Sequence, residues 1–141
     1  MTRMLNSTRN PAAARLLLFL LRHKVPWLGR LWGILLGCDI ASKLPCNLIM
    51  PHPYGIVIHS KAVLGEGLVI MQQVTVGARN VDDLAPVIEE DVFIGAGAKV
   101  LGGIRIGRNC TIGANAVVTR DLPSGSTVIG INQILPPRAE R

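Results

Sequence analysis

Aromatic and charged side chains are both scarce in this sequence of 141 residues. Phe, Trp and Tyr together make up 4% of it, whereas modules that stack nucleic-acid bases depend on such rings. We therefore expect no nucleic-acid partner. Charged residues amount to 17% and hydrophobic residues to 49%, which argues against intrinsic disorder and is typical of one folded domain of modest size.

Cysteines and long apolar runs are also few. The three cysteines, Cys38, Cys46 and Cys110, have no C-x-x-C spacing, so neither a disulfide framework nor a zinc cluster is expected. A reducing, cytoplasmic location is the simplest interpretation of this cysteine content. The apolar run at residues 16–21 has six residues, whereas a transmembrane helix needs about 18 or more.

Acidic residues are missing from the first 38 positions, where six basic residues lie. From Asp39 to the last residue, nine basic residues balance nine acidic ones. The formal net charge of +6 therefore belongs to a short N-terminal segment and does not describe a domain-wide surface for nucleic acid.

What the sequence does have is a repeat of six residues. Aliphatic residues recur at this spacing between positions 58 and 118, and only Asp82 interrupts them. The series is Ile58, Leu64, Ile70, Val76, Ile88, Ile94, Val100, Ile106, Ile112 and Val118. Neither a helical period of about 3.6 residues nor strand alternation produces this spacing, which is typical of a parallel β-helix with three short strands per coil.

The repeat also predicts which residues stack on one another. If each coil holds three hexapeptides, Ile58, Val76, Ile94 and Ile112 form one inward ladder. We expect the glycine that follows several of the aliphatics to supply the backbone torsions of a tight corner. The small residue four places after them, such as Ala98, is expected to fit where the coil narrows.

Residues 77–86 interrupt the repeat with a polar stretch that ends in proline. The repeat resumes in phase after them, which predicts an external loop that replaces one flat side of a coil. Such loops in solenoids often line a functional site, and a simple solvated loop is the alternative.

The chain is expected to have three parts. Residues 1–37 form a basic helical segment, divided at Pro26, that caps the coil. Residues 38–131 form the β-helix, and residues 132–141 form a C-terminal tail. An alternative role for residues 1–37 is peripheral contact with an anionic membrane through their basic residues and tryptophans.

Three histidines are candidates for chemistry. His23 lies in the basic segment, and His59 follows the inward Ile58, so it is expected to face outward. His52 lies between two prolines, and counting back in sixes gives it an inward slot. A buried, hydrogen-bonded His52 and a functional His52 therefore both stay open. The spacing of the three histidines does not favour a metal site.

Several strings in the coil resemble the serine acetyltransferase family. They are HPYGIVIHSKAVLGEG, then VTVGA, and, after the loop, IGAGAKVLGGIRIG and IGANAVV. The resemblance covers roughly residues 38–131. It implies an all-β solenoid, namely a left-handed parallel β-helix with a short N-terminal helical segment, assembled as a homotrimer. It also implies acetyl-CoA as the acyl donor and no metal.

The resemblance assigns catalytic roles to two residues. His52 matches the histidine that acts as general base and removes the proton from the acceptor hydroxyl. Asp39 is the candidate for the aspartate that orients this histidine, although the match needs a gap of two residues. The alternative for Asp39 is a helix or strand cap.

The resemblance also implies a binding groove for the donor between neighbouring subunits. Ala78, Ala96 and Ala114 fall on positions that contact the pantetheine arm in that family, and simple corner geometry is the alternative for each. The family has a lysine near the phosphate end that this sequence lacks. Arg120 or Arg108 is the candidate to replace it, and both also fit solvated surface positions.

The acceptor is where the sequence departs from the family. Serine-acetylating members carry an acid before the catalytic histidine and an Arg-His pair in the loop, whereas this sequence has Pro51, Leu84 and Ala85 there. A bidentate carboxylate clamp cannot be built from Leu and Ala. We therefore expect a sugar hydroxyl of a capsule or exopolysaccharide precursor as acceptor. The alternatives are a serine O-acetyltransferase of cysteine biosynthesis and a catalytically silent trimeric scaffold.

Overall fold

The structure is a computed structural model that describes residues 10–23, 26–79 and 84–135. Within them the chain forms two helices and thirteen short strands. The helices are α1 (Ala12–Arg22) and α2 (Pro26–Leu35). The strands are β1 (Asp39–Ile40), β2 (Val57–Ile58), β3 (Val63–Leu64), β4 (Val69–Ile70), β5 (Thr75–Gly77), β6 (Val87–Ile88), β7 (Phe93–Ile94), β8 (Lys99–Leu101), β9 (Arg105–Ile106), β10 (Thr111–Ile112), β11 (Val117–Val118), β12 (Thr127–Ile129) and β13 (Gln133–Leu135).

The strands form the three sides of a solenoid. Sheet A has the order β1-β2-β5-β8-β11, sheet B has β4-β7-β10-β12-β13, and sheet C has β3-β6-β9. All pairs are parallel except β12 with β13, which are antiparallel, so residues 133–135 of the predicted tail close sheet B. Residues 136–141 of that tail lie outside the described part of the chain. The predicted fold, a left-handed parallel β-helix with a short N-terminal helical segment, is confirmed.

The predicted ladder through Ile58, Val76, Ile94 and Ile112 is wrong beyond its second member. Val76 pairs with Val100 in sheet A, whereas Ile94 and Ile112 pair with each other in sheet B. The reason is the segment at residues 77–86, which adds six positions to one coil and thereby shifts every later residue by one side. The hexapeptide phase survives such an insertion, so the period alone could not reveal it.

The loop prediction is therefore corrected as well. The segment does not replace a flat side, because β5 in sheet A is followed by β6 in sheet C, as β2 is followed by β3. It is an insertion at the corner between these two sheets. Residues 80–83, which include Asp82, lie outside the described residues, and Leu84 on the far side of the loop packs over Gly103.

The coil corners need glycine and left-handed residues at different positions. Gly95 follows an inward aliphatic and is not left-handed, but a Cβ there would lie 2.7 Å from the Ala114 amide nitrogen. The left-handed torsion falls two residues later, at Gly97 (φ 72°), and at the equivalent Asn109 (φ 57°) and Asn115 (φ 54°). The glycine of the repeat is thus required for close approach of the next coil, which corrects the torsional explanation.

The interior of the coil is filled by the residues that the repeat predicts. Ile58, Ile94, Ile106 and Ile112 are at most 1% exposed, and the small residue Ala98 is fully buried. Each buried aliphatic side chain contributes about 1.5–3 kcal/mol relative to exposure to water. The repeat of six therefore supplies half of the twelve largest fully buried side chains of the fold.

The helical segment covers the first coil. Leu17 and Leu18 of α1 belong to the same buried cluster as Met50. Just before α1, the Asn10 side chain accepts a hydrogen bond from the Met50 amide at 2.7 Å and donates one to the Leu48 carbonyl at 2.9 Å. The segment thereby shields the apolar end of the solenoid, a surface that β-helices must cover.

Candidate active site

One corner of the solenoid, between sheets B and A, forms a continuous stack along the coil axis. Backbone hydrogen bonds of 2.8–2.9 Å join each coil to the next at this corner. They run from Gly55 to Leu36, from Gln73 to Tyr54, from Gly97 to Gln72 and from Asn115 to Ala96. We call this stack the BA corner. Most of the predicted site residues lie on it or beside it.

His52 lies in the turn that leads into the BA corner. Its carbonyl accepts a hydrogen bond of 2.8 Å from the Tyr54 amide, and its side chain is exposed. The inward slot predicted by counting in sixes is wrong, because Met50 and Ile56 are the buried residues on either side. Ile49 pairs with Val69, so Met50 is level with Ile70. The eight residues from Met50 to Ile58 replace the six from Ile70 to Val76. The two extra residues at this corner account for the shift. The imidazole is thus free of the core and accessible to a substrate.

Asp39 lies on the other side of the same corner, one coil away. It begins β1, pairs with Val57 and is exposed. The Cys38 thiol donates a hydrogen bond of 3.2 Å to the Pro53 carbonyl, which holds the chain beside Asp39 against the chain beside His52. Among the described residues, no hydrogen bond or ion pair is found between the Asp39 and His52 side chains. Their catalytic pairing stays a prediction.

A cavity of about 420 Å³ opens between α1, α2 and β1 beside Asp39. Its wall is apolar apart from Arg30, Asp39 and Cys38, and His52 does not line it. Burial raises the pKa of the Cys38 thiol, against hydrogen bonds from the Ile56 and Gly55 backbone that lower it. Cys38 is therefore a protonated thiol at neutral pH and a poor nucleophile, so the exposed imidazole is the better candidate for chemistry here.

The four predicted donor contacts fall into two groups. Ala96 and Ala114 stack in successive coils of the BA corner, where the Asn115 amide donates to the Ala96 carbonyl at 2.8 Å. Ala78 follows β5 at the start of the loop, and Arg120 follows β11, so both lie at the corner between sheets A and C. The two groups therefore flank sheet A on opposite sides. Within one chain they do not meet in a single groove.

Arg120 and Arg108 differ in what they contact. The Arg120 guanidinium donates to the Asn132 carbonyl and is otherwise exposed. Arg108 faces acids instead, with Nε 3.8 Å from a Glu89 oxygen and 4.0 Å from a Glu90 oxygen. Arg108 therefore has two carboxylates nearby, whereas the contact found for the Arg120 guanidinium is with a carbonyl.

Gln72 also lies on the BA corner, and it was not among the site residues predicted from the sequence. It lies between the levels of Tyr54 and Ala96, and its side-chain oxygen is buried without a hydrogen-bond donor among the described residues. Such unsatisfied buried acceptors are rare in folded proteins. The repeat pattern could not single it out, because an outward-facing glutamine is unremarkable until its surroundings are known.

A metal centre finds no support in the part of the chain that the structure describes. Within residues 10–23, 26–79 and 84–135, no group of three or more His, Cys, Asp and Glu side chains is arranged to hold an ion. The BA corner itself presents an exposed imidazole, a nearby carboxylate and small residues along a backbone stack.

The chain is similar in sequence to a known protein family and to named members of it. Residues 85–120 match the family described as bacterial transferase hexapeptide (six repeats). A serine acetyltransferase of Synechococcus elongatus is 38% identical over 121 residues, which is 80% of this chain and 50% of that protein. The chain thus spans half the length of this curated relative.

Solved structures give the same result for the fold. A serine acetyltransferase in complex with cysteine superposes with a TM-score of 0.73 and 30% identity, over 88% of this chain and 55% of the other. The serine acetyltransferase of Neisseria gonorrhoeae in complex with serine gives a TM-score of 0.69 and 36% identity, over 88% and 54%. The resemblance predicted from the sequence is confirmed.

Proposed function

We propose that this chain is an acetyl-CoA-dependent O-acetyltransferase and that L-serine is its acceptor. The observation that carries the proposal is the similarity to serine acetyltransferases over 80% of the chain, which includes the BA corner. The exposed imidazole of His52 beside that corner supplies the general base that such a reaction needs. Serine thereby replaces the sugar hydroxyl that the sequence favoured, since the relatives named above are serine acetyltransferases.

The chemistry follows from the properties of the groups involved. Acetyl-CoA supplies an acetyl thioester, and a neutral hydroxyl is a weak nucleophile toward it. His52 takes the proton from the acceptor hydroxyl as that oxygen attacks, a contribution of about 10²–10⁴-fold. Asp39 orients the imidazole and stabilises the positive charge that it gains.

Small residues stacked along the BA corner leave room for an extended donor. Ala96 lies two coils beyond Tyr54, which is about 10 Å along the axis at the usual strand spacing. The side chains of Ala96 and Ala114 are small enough to let a pantetheine arm approach the backbone.

Assembly as a homotrimer is part of this proposal. Ala78 and Arg120 lie on the other side of sheet A from Ala96 and Ala114, so one chain cannot offer all four to one donor molecule. A groove between two copies can combine one corner of each. Sedimentation equilibrium of the full chain is expected to give three times the chain mass of 15.1 kDa.

A sugar hydroxyl remains the second candidate acceptor, for a specific reason. The loop carries Leu84 and Ala85 where the resemblance implies an Arg-His pair, and Leu84 is 64% exposed. Neither side chain can bind a carboxylate. This observation favours a neutral acceptor and makes acceptor identity the point that most needs an experiment.

The test is an acceptor screen that follows release of free CoA thiol with L-serine and with sugars and nucleotide sugars. We expect L-serine to be acetylated, and His52→Ala to lower kcat/KM by at least about 100-fold without a change in oligomeric mass. The matched control is His23→Ala, at an exposed histidine of the helical segment, which should keep full activity. Acetylation of a sugar alone favours the second candidate. If the protein neither binds nor hydrolyses acetyl-CoA, the scaffold alternative replaces both.

A further inference from the structure

Helix α2 exposes most of its large apolar residues. Gly29 and Gly33 are buried and approach Leu20 of α1 and the Cys38 carbonyl respectively, and Trp32 is half-buried against the core. The other large apolar side chains are exposed, and Trp27 is 71% and Leu35 67% exposed. A surface helix normally buries its large apolar residues, so this arrangement needs a partner outside the described chain.

Helix α1 adds to the same type of surface. Although its other side is buried on the coil, Leu16 and Phe19 are exposed by 41% and 54%. We define the hairpin face as the exposed large apolar residues of the two helices. They are Leu16, Phe19, Trp27, Leu28, Leu31, Ile34 and Leu35. Burying them would contribute substantial free energy to any association.

The positive charge around the hairpin face indicates which kind of partner fits it. Arg15 and Arg30 are exposed on the two helices. The first 38 residues contain six basic residues and no acidic one. Two copies of the chain that associated through this face would bring positive charges together. The coil of another copy is not a complementary partner either, because its nine basic and nine acidic residues leave no excess of negative charge. An anionic lipid surface provides both an apolar layer and the opposite charge.

The dimensions of the helices determine how such contact would be made. Among the described residues, no helix is long and apolar enough to cross a bilayer. Helices of 11 and 10 residues with one apolar exposed side are instead suited to lie along the interface. Trp27, on the exposed side of α2, is the residue type enriched at the level of lipid headgroups.

We infer that the hairpin face binds the surface of anionic membranes and holds the β-helix there. The inference does not depend on the acceptor or on the proposed catalytic residues. It makes the protein a peripheral membrane protein whose coil stays in water. The probe for testing it is vesicles of phosphatidylcholine with and without phosphatidylglycerol.

The experiment is co-sedimentation of the full chain with these vesicles. We expect binding to vesicles that contain phosphatidylglycerol, little binding to pure phosphatidylcholine, and a blue shift of Trp27 emission that is absent in Trp27→Phe. The double variant Arg15→Gln/Arg30→Gln should bind roughly 25-fold more weakly, at about fivefold per basic residue near an anionic surface. Leu31→Gln/Leu35→Gln, which removes apolar contact, should weaken binding by at least about tenfold.

A matched control comes from the coil. Val63 and Ile131 are 56% and 75% exposed, so Val63→Gln/Ile131→Gln changes two exposed apolar residues outside the hairpin face. This variant should bind like the unchanged protein. Absence of binding to anionic vesicles, or equal binding by the hairpin and coil variants, would overturn the inference. Light scattering without lipid provides a further test. If the hairpin variants have a lower oligomeric mass than the unchanged protein, copies of the chain cover the hairpin face, and the inference is overturned.

Discussion

The coil and helix α2 of this protein differ in where most of their large apolar side chains lie. In the coil, Ile94 and Ile112 are completely buried, and glycine lies where backbones approach. In α2, glycine occupies the buried side, and Ile34 and Leu35 are each 67% exposed. Apolar residues thus stabilise the coil from within, whereas those of α2 contribute little until something covers them. The difference separates residues that fold the protein from residues available for association.

The largest expected effect tests this separation directly. Ile112→Ala should lower the free energy of unfolding by about 2–5 kcal/mol, because it opens a cavity in a ladder that cannot collapse. Ile34→Ala removes the same atoms from an exposed position and should change it by no more than about 0.5 kcal/mol. Urea unfolding of both variants provides the measurement. The milder Ile112→Val, expected to cost about 0.5–1.5 kcal/mol, keeps the comparison usable if Ile112→Ala does not fold.

Equal losses in Ile34→Ala and Ile112→Ala would contradict the comparison. They would mean that the hairpin face is buried in the folded, lipid-free protein. A concentration dependence of the Ile34→Ala effect would then identify the cover as another copy of the chain.

The coil was predictable from the sequence because its period fixes its packing. Each inward residue of a β-helix meets the residues one coil before and after it, so spacing alone indicates that Ile58 and Ile106 are buried. The pairing of coils was not predictable beyond Val76. An insertion of six residues keeps the hexapeptide period but moves every later residue to the next of the three sheets. Only the observed register of Val76 with Val100 reveals this change.

The candidate site was predictable in its members and not in their arrangement. The resemblance selected His52 and Ala96, which lie on one corner, and it also selected Ala78, which lies on another. A match between motifs identifies which residues correspond to those of the family. It does not specify at which corner of the coil each residue lies. Gln72 was missed because an unsatisfied acceptor is a property of packing, which no pattern of residue types expresses.

Glycine gives the second test, with opposite signs in the two regions. Gly95→Ala should destabilise the protein by about 1–3 kcal/mol, because the new Cβ would lie 2.7 Å from the Ala114 nitrogen in the next coil. Gly29→Ala should stabilise it by about 0.5–1 kcal/mol, because alanine favours a helix interior and its Cβ would meet Leu20 at an ordinary 3.6 Å. Thermal unfolding followed by circular dichroism distinguishes the two. A loss of stability in Gly29→Ala would show that α2 packs as tightly as the coil.

Charges distinguish the two regions as apolar residues do. In the coil, Glu89 bridges neighbouring turns, accepting from Arg105 Nη2 at 2.6 Å and from the Arg108 amide at 2.9 Å. In the helical segment, basic residues have no acid nearby in sequence, since Asp39 is the first one. The coil therefore balances its charge internally, whereas the helical segment has an excess of positive charge.

The smallest expected effect concerns this coil ion pair. The hydrogen bond from Arg105, with that from the Arg108 backbone, holds the pKa of Glu89 below its usual range. Glu89 therefore adds stability at neutral pH, and this contribution disappears as the pH falls through that lowered pKa. Glu89→Gln should lower Tm slightly at pH 7, by less once the pH falls below the ordinary glutamate pKa of about 4.3, and not at all well below the lowered pKa of Glu89. Glu90→Gln, whose nearest cation in the described structure lies at 4.0 Å, is the control and should change Tm less. A Glu89→Gln effect independent of pH would mean that side-chain packing, and not charge, stabilises this part of the coil.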